Sequence, residues 1–237
     1  MTPQASELKP VLFVVTSCPV KGATGIATGF NLAEVTHPLD KLQAAGIRVE
    51  IASIQGGPAP LDGLEDLSDP VNARYWADTE FRSAIAHTLC LDDIDPSHYS
   101  AIFFAGGHGT MWDFPDSAAA QKAIRDIDAA GGIVSAVCHG PAALVNARRA
   151  DGSLLVAGKR VAAFTNGEEE AVQSTQAVPF LLASTLNARG ARHQNAPNWA
   201  NNVVVEGRLI TGQNPQSAAS LGEALRDALL APSTVDA

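Results

Sequence analysis

Uninterrupted apolar runs, each separated from the next by a stretch of helical spacing, constrain this chain more than any other feature. VLFVVT occupies 11–16, YSAIFFAGG 99–107, IVSAV 133–137 and KRVAAFT 159–165, and RVEIAS at 48–53 reads as a further strand. A strand with one wet face alternates apolar and polar residues, whereas an unbroken apolar strand is covered on both faces. Helical spacing fills 29–45, 78–89, 117–130 and 177–189, and returns at 216–230. Strand, helix, glycine, strand is the βαβ pattern, and its repetition predicts a mostly parallel, doubly wound sheet sandwiched by helices. VVVEGRLIT at 203–211 alternates instead and turns at Gly207, which reads as a hairpin.

Local signals refine this outline. Ser117 is placed to N-cap the helix at 117–130. Pro38 is expected to kink or split the helix at 29–45. Pro141 suits the first turn of a helix that begins there. Residues 56–72 are rich in Gly, Pro and Asp and read as a loop. No Ser/Gly tract or internal repeat divides the chain. One α/β domain over 1–237 is expected, with a less regular excursion around 54–98.

Charge and cysteine usage narrow the function classes. The net charge is −9, and basic residues cluster no further than pairs such as Arg148-Arg149, which argues against nucleic acid. MTPQASELKP lacks the pattern of a secretory leader, and no apolar run approaches a membrane span, so a cytoplasmic protein without membrane contact is expected. Cys18, Cys90 and Cys138 form neither a disulfide framework nor a zinc spacing. Reduced thiols are expected, one of them available as a nucleophile.

Ligands of open parallel sheets bind at the carboxyl ends of the strands. There stands AVCHGP, with Cys138 and His139 at the seam between a strand and the run from Pro141. Two readings compete: a buried cysteine as a small hydrophobe, or a nucleophile raised on a sharp strand-to-helix turn. In the second, the helix N-terminus lowers the thiol below its ordinary value of about 8.5. A second glycine-rich strand end, Ala105-Gly106-Gly107-His108-Gly109, offers backbone amides for an oxyanion. It is no dinucleotide fingerprint, because the third glycine position holds Trp112. No phosphate-cradling loop occurs either. Glu34 reads as a solvated helix residue or a site acid; Glu168-Glu169-Glu170 reads as helix-dipole complement or as a source of one.

Taken together, TGFNLAEVTHPL (28–39), FFAGGHGTMWDFP (103–115), AVCHGPAAL (136–144), AFTNGEEEAV (163–172) and VVEGRLITGQNPQSA (204–218) resemble the PfpI-type, class I glutamine-amidotransferase-like superfamily. Within it the chain is most similar to the glutathione-independent glyoxalase (glyoxalase III) and chaperone-like branch. The resemblance implies a flavodoxin-like sandwich and a homodimer. It implies Cys138 as nucleophile, His139 as its partner, Glu34 as a buried acid against the thiol, and Glu169 as the acid orienting the histidine. Gly106, Gly107 and His108 fall to the oxyanion and substrate-binding side. The substrate implied is a small 2-oxoaldehyde such as methylglyoxal, turned into a 2-hydroxy acid with no cofactor and no metal. A cysteine-dependent deglycase or amidohydrolase, or a stress-related holdase, is the alternative.

Overall fold

Three of the apolar runs, together with RVEIAS, become neighbouring strands of one sheet. The protein is described by a computed structural model covering residues 8–62 and 64–231. The strands are β1 (Val11–Val15), β2 (Val49–Ser53), β3 (Leu89–Cys90), β4 (Ala101–Phe104), β5 (Ile133–Val137), β6 (Val203–Glu206) and β7 (Leu209–Gly212). Their order across the seven-stranded sheet is β6-β7-β5-β4-β1-β2-β3. All pairings are parallel except the β6–β7 hairpin, which turns through Gly207 in the left-handed region.

Alternate residues of each strand feed opposite faces. Leu12, Val14, Ile102, Phe104, Val134 and Ala136 enter one core; Val11, Phe13, Val15, Phe103, Ile133 and Val137 enter the other. Helices α1 (Leu32–Ala44) and α8 (Ala218–Leu230) cover the second face with Leu39, Leu42, Leu225 and Leu229. Helices α2 (Pro70–Ala77) and α3 (Thr79–Ala86) extend that layer through Tyr75 and Phe81. The short α4 (Thr110–Asp113) and α5 (Ala118–Ala129) cover the first face, where Met111, Ile124 and Ile127 are buried. Ser117 caps α5 as expected, accepting from the Ala120 amide. α6 (Asn166–Ala171) and α7 (Leu182–Ala188) complete the molecule.

Three expectations are corrected. Helix α1 runs unsplit through Pro38, and α8 packs against the proline so closely that a Cβ on Gly222 would lie 2.6 Å from its Cα. The run at 159–165 does not join the main sheet: only Arg160–Val161 pairs, with Arg192–His193. The hairpin already occupies that edge, and the chain instead crosses the carboxyl ends of β7 and β5. There Ala162 donates to the Thr211 hydroxyl and Phe164 to the Cys138 carbonyl. Lastly, the run after Cys138 forms only a five-residue 3₁₀ turn, Gly140–Leu144.

Candidate active site

Register brings the two glycine-rich strand ends together. Phe104 pairs with Ala136, so two residues further on Gly106 lies beside Cys138. Space at this crossing is minimal. A Cβ on Gly140 would stand 2.2 Å from the Phe104 carbonyl oxygen, and one on Gly106 2.5 Å from Glu34 Oε2. Cys138 itself has φ of 60°, left-handed backbone that costs a non-glycine residue about 1–3 kcal/mol. The Cys138 amide donates to the Gly212 carbonyl at 2.9 Å, and the Phe164 amide donates to the Cys138 carbonyl at 2.8 Å. The strained turn is therefore held from both sides.

Glu34 reaches this turn from the first turn of α1, where the Asn31 side chain caps the Glu34 amide. Its solvated reading fails: the residue is fully buried. The Gly106 amide donates to Oε2 at 2.7 Å, while Oε1 is buried without a hydrogen-bond partner among the described residues. Burial pushes the carboxyl up to about 8, against the opposing hydrogen bond of the Gly106 amide. Burial thus favours its protonated form, which is able to donate. Gly106 is corrected accordingly: its amide is spent on Glu34 and is not free for an oxyanion. The Gly107 N–H has no protein partner among the described residues, and Gly107 lines the cavity over the thiol.

The thiol also departs from expectation. Burial first, then the adjacent Glu34 carboxyl, push Cys138 well above its ordinary value. A five-residue 3₁₀ turn supplies too little dipole to offset that desolvation. Only the His139 amide acts the other way.

Across the thiol the polarity reverses. His139 Nδ1 lies 3.5 Å from Cys138 Sγ, and His139 Nε2 lies 2.8 Å from Glu169 Oε2. The other oxygen of Glu169 lies 2.8 Å from His108 Nε2. Burial alone would raise Glu169; the two imidazoles hold it down to about 2. His139 is lowered to about 4 by burial, then by the neighbouring His108, against the pull of Glu169. The rings of His108, His139 and Phe164 form a stack, with centroids 4.2 Å apart at each step.

The acidic block divides sharply. Glu169 faces the histidines. Glu168 is buried in a structural network: it completes a capping box with Thr165 and accepts from Trp199, Gln213 and Asn214. Glu170 is exposed. Over these groups lies a cavity of about 160 Å³, lined also by Asn31, Asp62, Phe164, Val172, Trp199 and Pro215. That is well under the roughly 300–1,000 Å³ of drug-sized sites and suits a small substrate. Sequence reasoning did not foresee these lining residues. The signal for the Glu168 network was the polar GQN at 212–214, which directly follows the last strand. His108, His139 and Glu169 place ligand atoms within 4.8 Å of one another, so they are also the described residues able to chelate a divalent cation.

A parallel sheet with a strained cysteine turn between two strand ends defines the cysteine elbow of a flavodoxin-like sandwich. The chain belongs to the DJ-1/PfpI family, which it matches over residues 23–228. It is 31% identical over 215 residues to Glyoxalase 3 of Candida albicans, covering 84% of this chain and 89% of the relative. The solved glyoxalase III of Candida albicans superposes with a TM-score of 0.85 at 29% identity, over 92% of this chain and 96% of the other. The Rapid Encystment Protein 24 kDa of Francisella tularensis superposes with a TM-score of 0.91 at 38% identity, over 94% and 100%.

Proposed function

We propose that this protein is a glutathione-independent glyoxalase, a lyase of glyoxalase III type that converts methylglyoxal and similar 2-oxoaldehydes to D-2-hydroxy acids. The observation that carries the reading is the line Cys138–His139–Glu169 under a cavity sized for a small molecule. The curated relative named Glyoxalase 3 supports it.

Cys138 sulfur attacks the aldehyde carbon C1. The S–C1 bond forms, the carbonyl π bond opens, and the thiol proton reaches the new hydroxyl through His139 Nδ1. The Gly107 amide holds the developing oxyanion. His139, now neutral again, takes the C1 proton; the C1–H pair becomes the C1=C2 bond and the C2=O π pair moves onto the C2 oxygen, giving an enediolate. Return of that proton to C2, with the C1 hydroxyl proton passing to the C2 oxygen, leaves a thioester, which water cleaves to the hydroxy acid and free Cys138. C1 is oxidised at the expense of C2, so no external redox partner is consumed. Glu34, protonated, donates to the sulfur or the substrate oxygen and remains neutral throughout. Glu169 fixes the His139 tautomer by accepting from Nε2.

The family resemblance extends the proposal to a homodimer in the cytoplasm. No described helix is long and apolar enough to cross a membrane. The test is purified protein with methylglyoxal and no glutathione, read by chiral analysis of lactate. D-lactate that disappears in Cys138→Ala supports the proposal. Cleavage of glycated amines through Cys138 with no lactate overturns it in favour of a deglycase.

A further inference from the structure

Glu169 is the shared acceptor of two imidazoles, and the mechanism above uses only one of them. Both histidines spend Nε2 on this carboxylate, at 2.8 Å each. Each therefore keeps Nδ1 as its working nitrogen. That of His139 lies at the thiol. That of His108 has no hydrogen-bond partner among the described residues, although His108 lines the same cavity. A ring that merely braced Glu169 would have no need to border the substrate space.

Resting on the glyoxalase reading, we propose that His108 is a second catalytic imidazole, which shuttles the oxygen-bound protons while His139 moves the carbon-bound one. The isomerisation demands two such transfers. From the hemithioacetal, C1 loses its hydrogen and C2 gains one; the C1 hydroxyl loses its proton and the C2 oxygen gains one. When His139 takes the C1 hydrogen, His108 gives a proton to the C2 oxygen, and a neutral enediol results. When His139 returns its proton to C2, His108 takes the C1 hydroxyl proton, and the thioester forms with both rings restored. Atoms and charges balance at each stage.

The environments suit this division. A single carboxylate balances a single imidazolium. The two rings differ in burial: the His108 side chain is 13% exposed and that of His139 1%. A charge on His108 is among the causes that keep His139 neutral. His108 is held in place from both sides, by Glu169 and by the His139 ring.

The experiment compares wild type, His108→Gln and His108→Ala with methylglyoxal as substrate, with and without added imidazole. His108→Gln keeps a polar group at the site without a titratable nitrogen. It is expected to lose on the order of 100-fold in kcat, the lower end for general acid–base catalysis, with KM within about threefold and an unchanged melting temperature. Imidazole at millimolar concentration is expected to restore at least about tenfold to His108→Ala and nothing to wild type, a response that a bracing role does not give. Activity of His108→Gln within about twofold of wild type overturns the inference. So does loss in both variants without imidazole rescue over an unchanged melting temperature. If wild type makes no lactate, it is the glyoxalase reading that fails; if wild type does and His108→Gln matches it, only this inference fails.

Discussion

The two sides of Cys138 each present one buried glutamate, and the two behave in opposite ways. On the α1 side, Glu34 receives one backbone amide, has an orphaned second oxygen, and is pushed up to about 8. On the α6 side, Glu169 receives a hydrogen bond from an imidazole on each oxygen and is held down to about 2. The same residue type is thus driven toward the neutral acid on one side of the sulfur and toward the anion on the other. Burial is common to both; the number of donors decides which state it favours. Burial, together with the adjacent Glu34 carboxyl, favours the protonated sulfur over the thiolate.

Removing the anionic side is expected to do the most damage. Glu169→Ala leaves His139 and His108 without their common acceptor, and kcat is expected to fall about 1,000-fold, within the range for a lost acid–base system. A loss under tenfold in steady-state turnover would mean that the thiol side works alone.

Glu34→Gln sharpens the other half. The amide can accept from Gly106 but has no proton to lose. Turnover at pH 7 is expected to drop about tenfold, and wild-type kcat/KM is expected to be flat between the His139 limb near 4 and the Glu34 limb near 8. The alkaline limb should vanish in the variant. A rate that climbs through pH 8 would instead show that a thiolate attacks.

Stability follows the same carboxyl. Its folded value lies above its unfolded one, so its contribution is full below about 4.5 and is lost as pH rises toward about 8. Glu34→Gln should accordingly melt higher than wild type by on the order of 5 °C at pH 8, with the gap closing below pH 4.5.

Glu168→Gln probes the neighbour that takes no part. It sets an amide against the donors of Thr165, Trp199, Gln213 and Asn214. Thermal melting should fall by roughly 5–10 °C, from about 1–3 kcal/mol for an unsatisfied buried group, while kcat changes less than about threefold. The smallest effect expected is from EDTA: activity is predicted to survive chelation and dialysis, and a loss restored by zinc would recast His108, His139 and Glu169 as ligands.

Much of this was legible in the chain itself. Unbroken apolar runs marked β1, β4 and β5, because burial on both faces leaves no place for alternation; β2 was marked by its place after a helix and Gly46. Cys138 was legible from its seam position at the end of an apolar strand. Other features were hidden by tertiary context. The run at 159–165 is as apolar as a strand because it is buried across strand ends, where no ladder partner is left. Pro38 looked like a break, yet it lies within a helix that the packing of α8 keeps continuous. The elevated thiol was out of reach for the same reason, since desolvation depends on groups from α1, β4 and the turn at 105–107 meeting at one atom. The register among Glu168, Glu169 and Glu170 was implied by resemblance and is set physically by which carboxylate the turn of α6 aims at His139.

Infrared difference spectroscopy of the folded protein tests the contrast most directly, by reading protonated carboxyl groups. The account predicts a carbonyl band at pH 7 that titrates away near pH 8, is absent in Glu34→Gln and persists in Glu169→Gln. A band that survives Glu34→Gln and disappears in Glu169→Gln would reverse the roles of the two sides. No such band in wild type would place an ionised carboxylate against Cys138 and contradict the account.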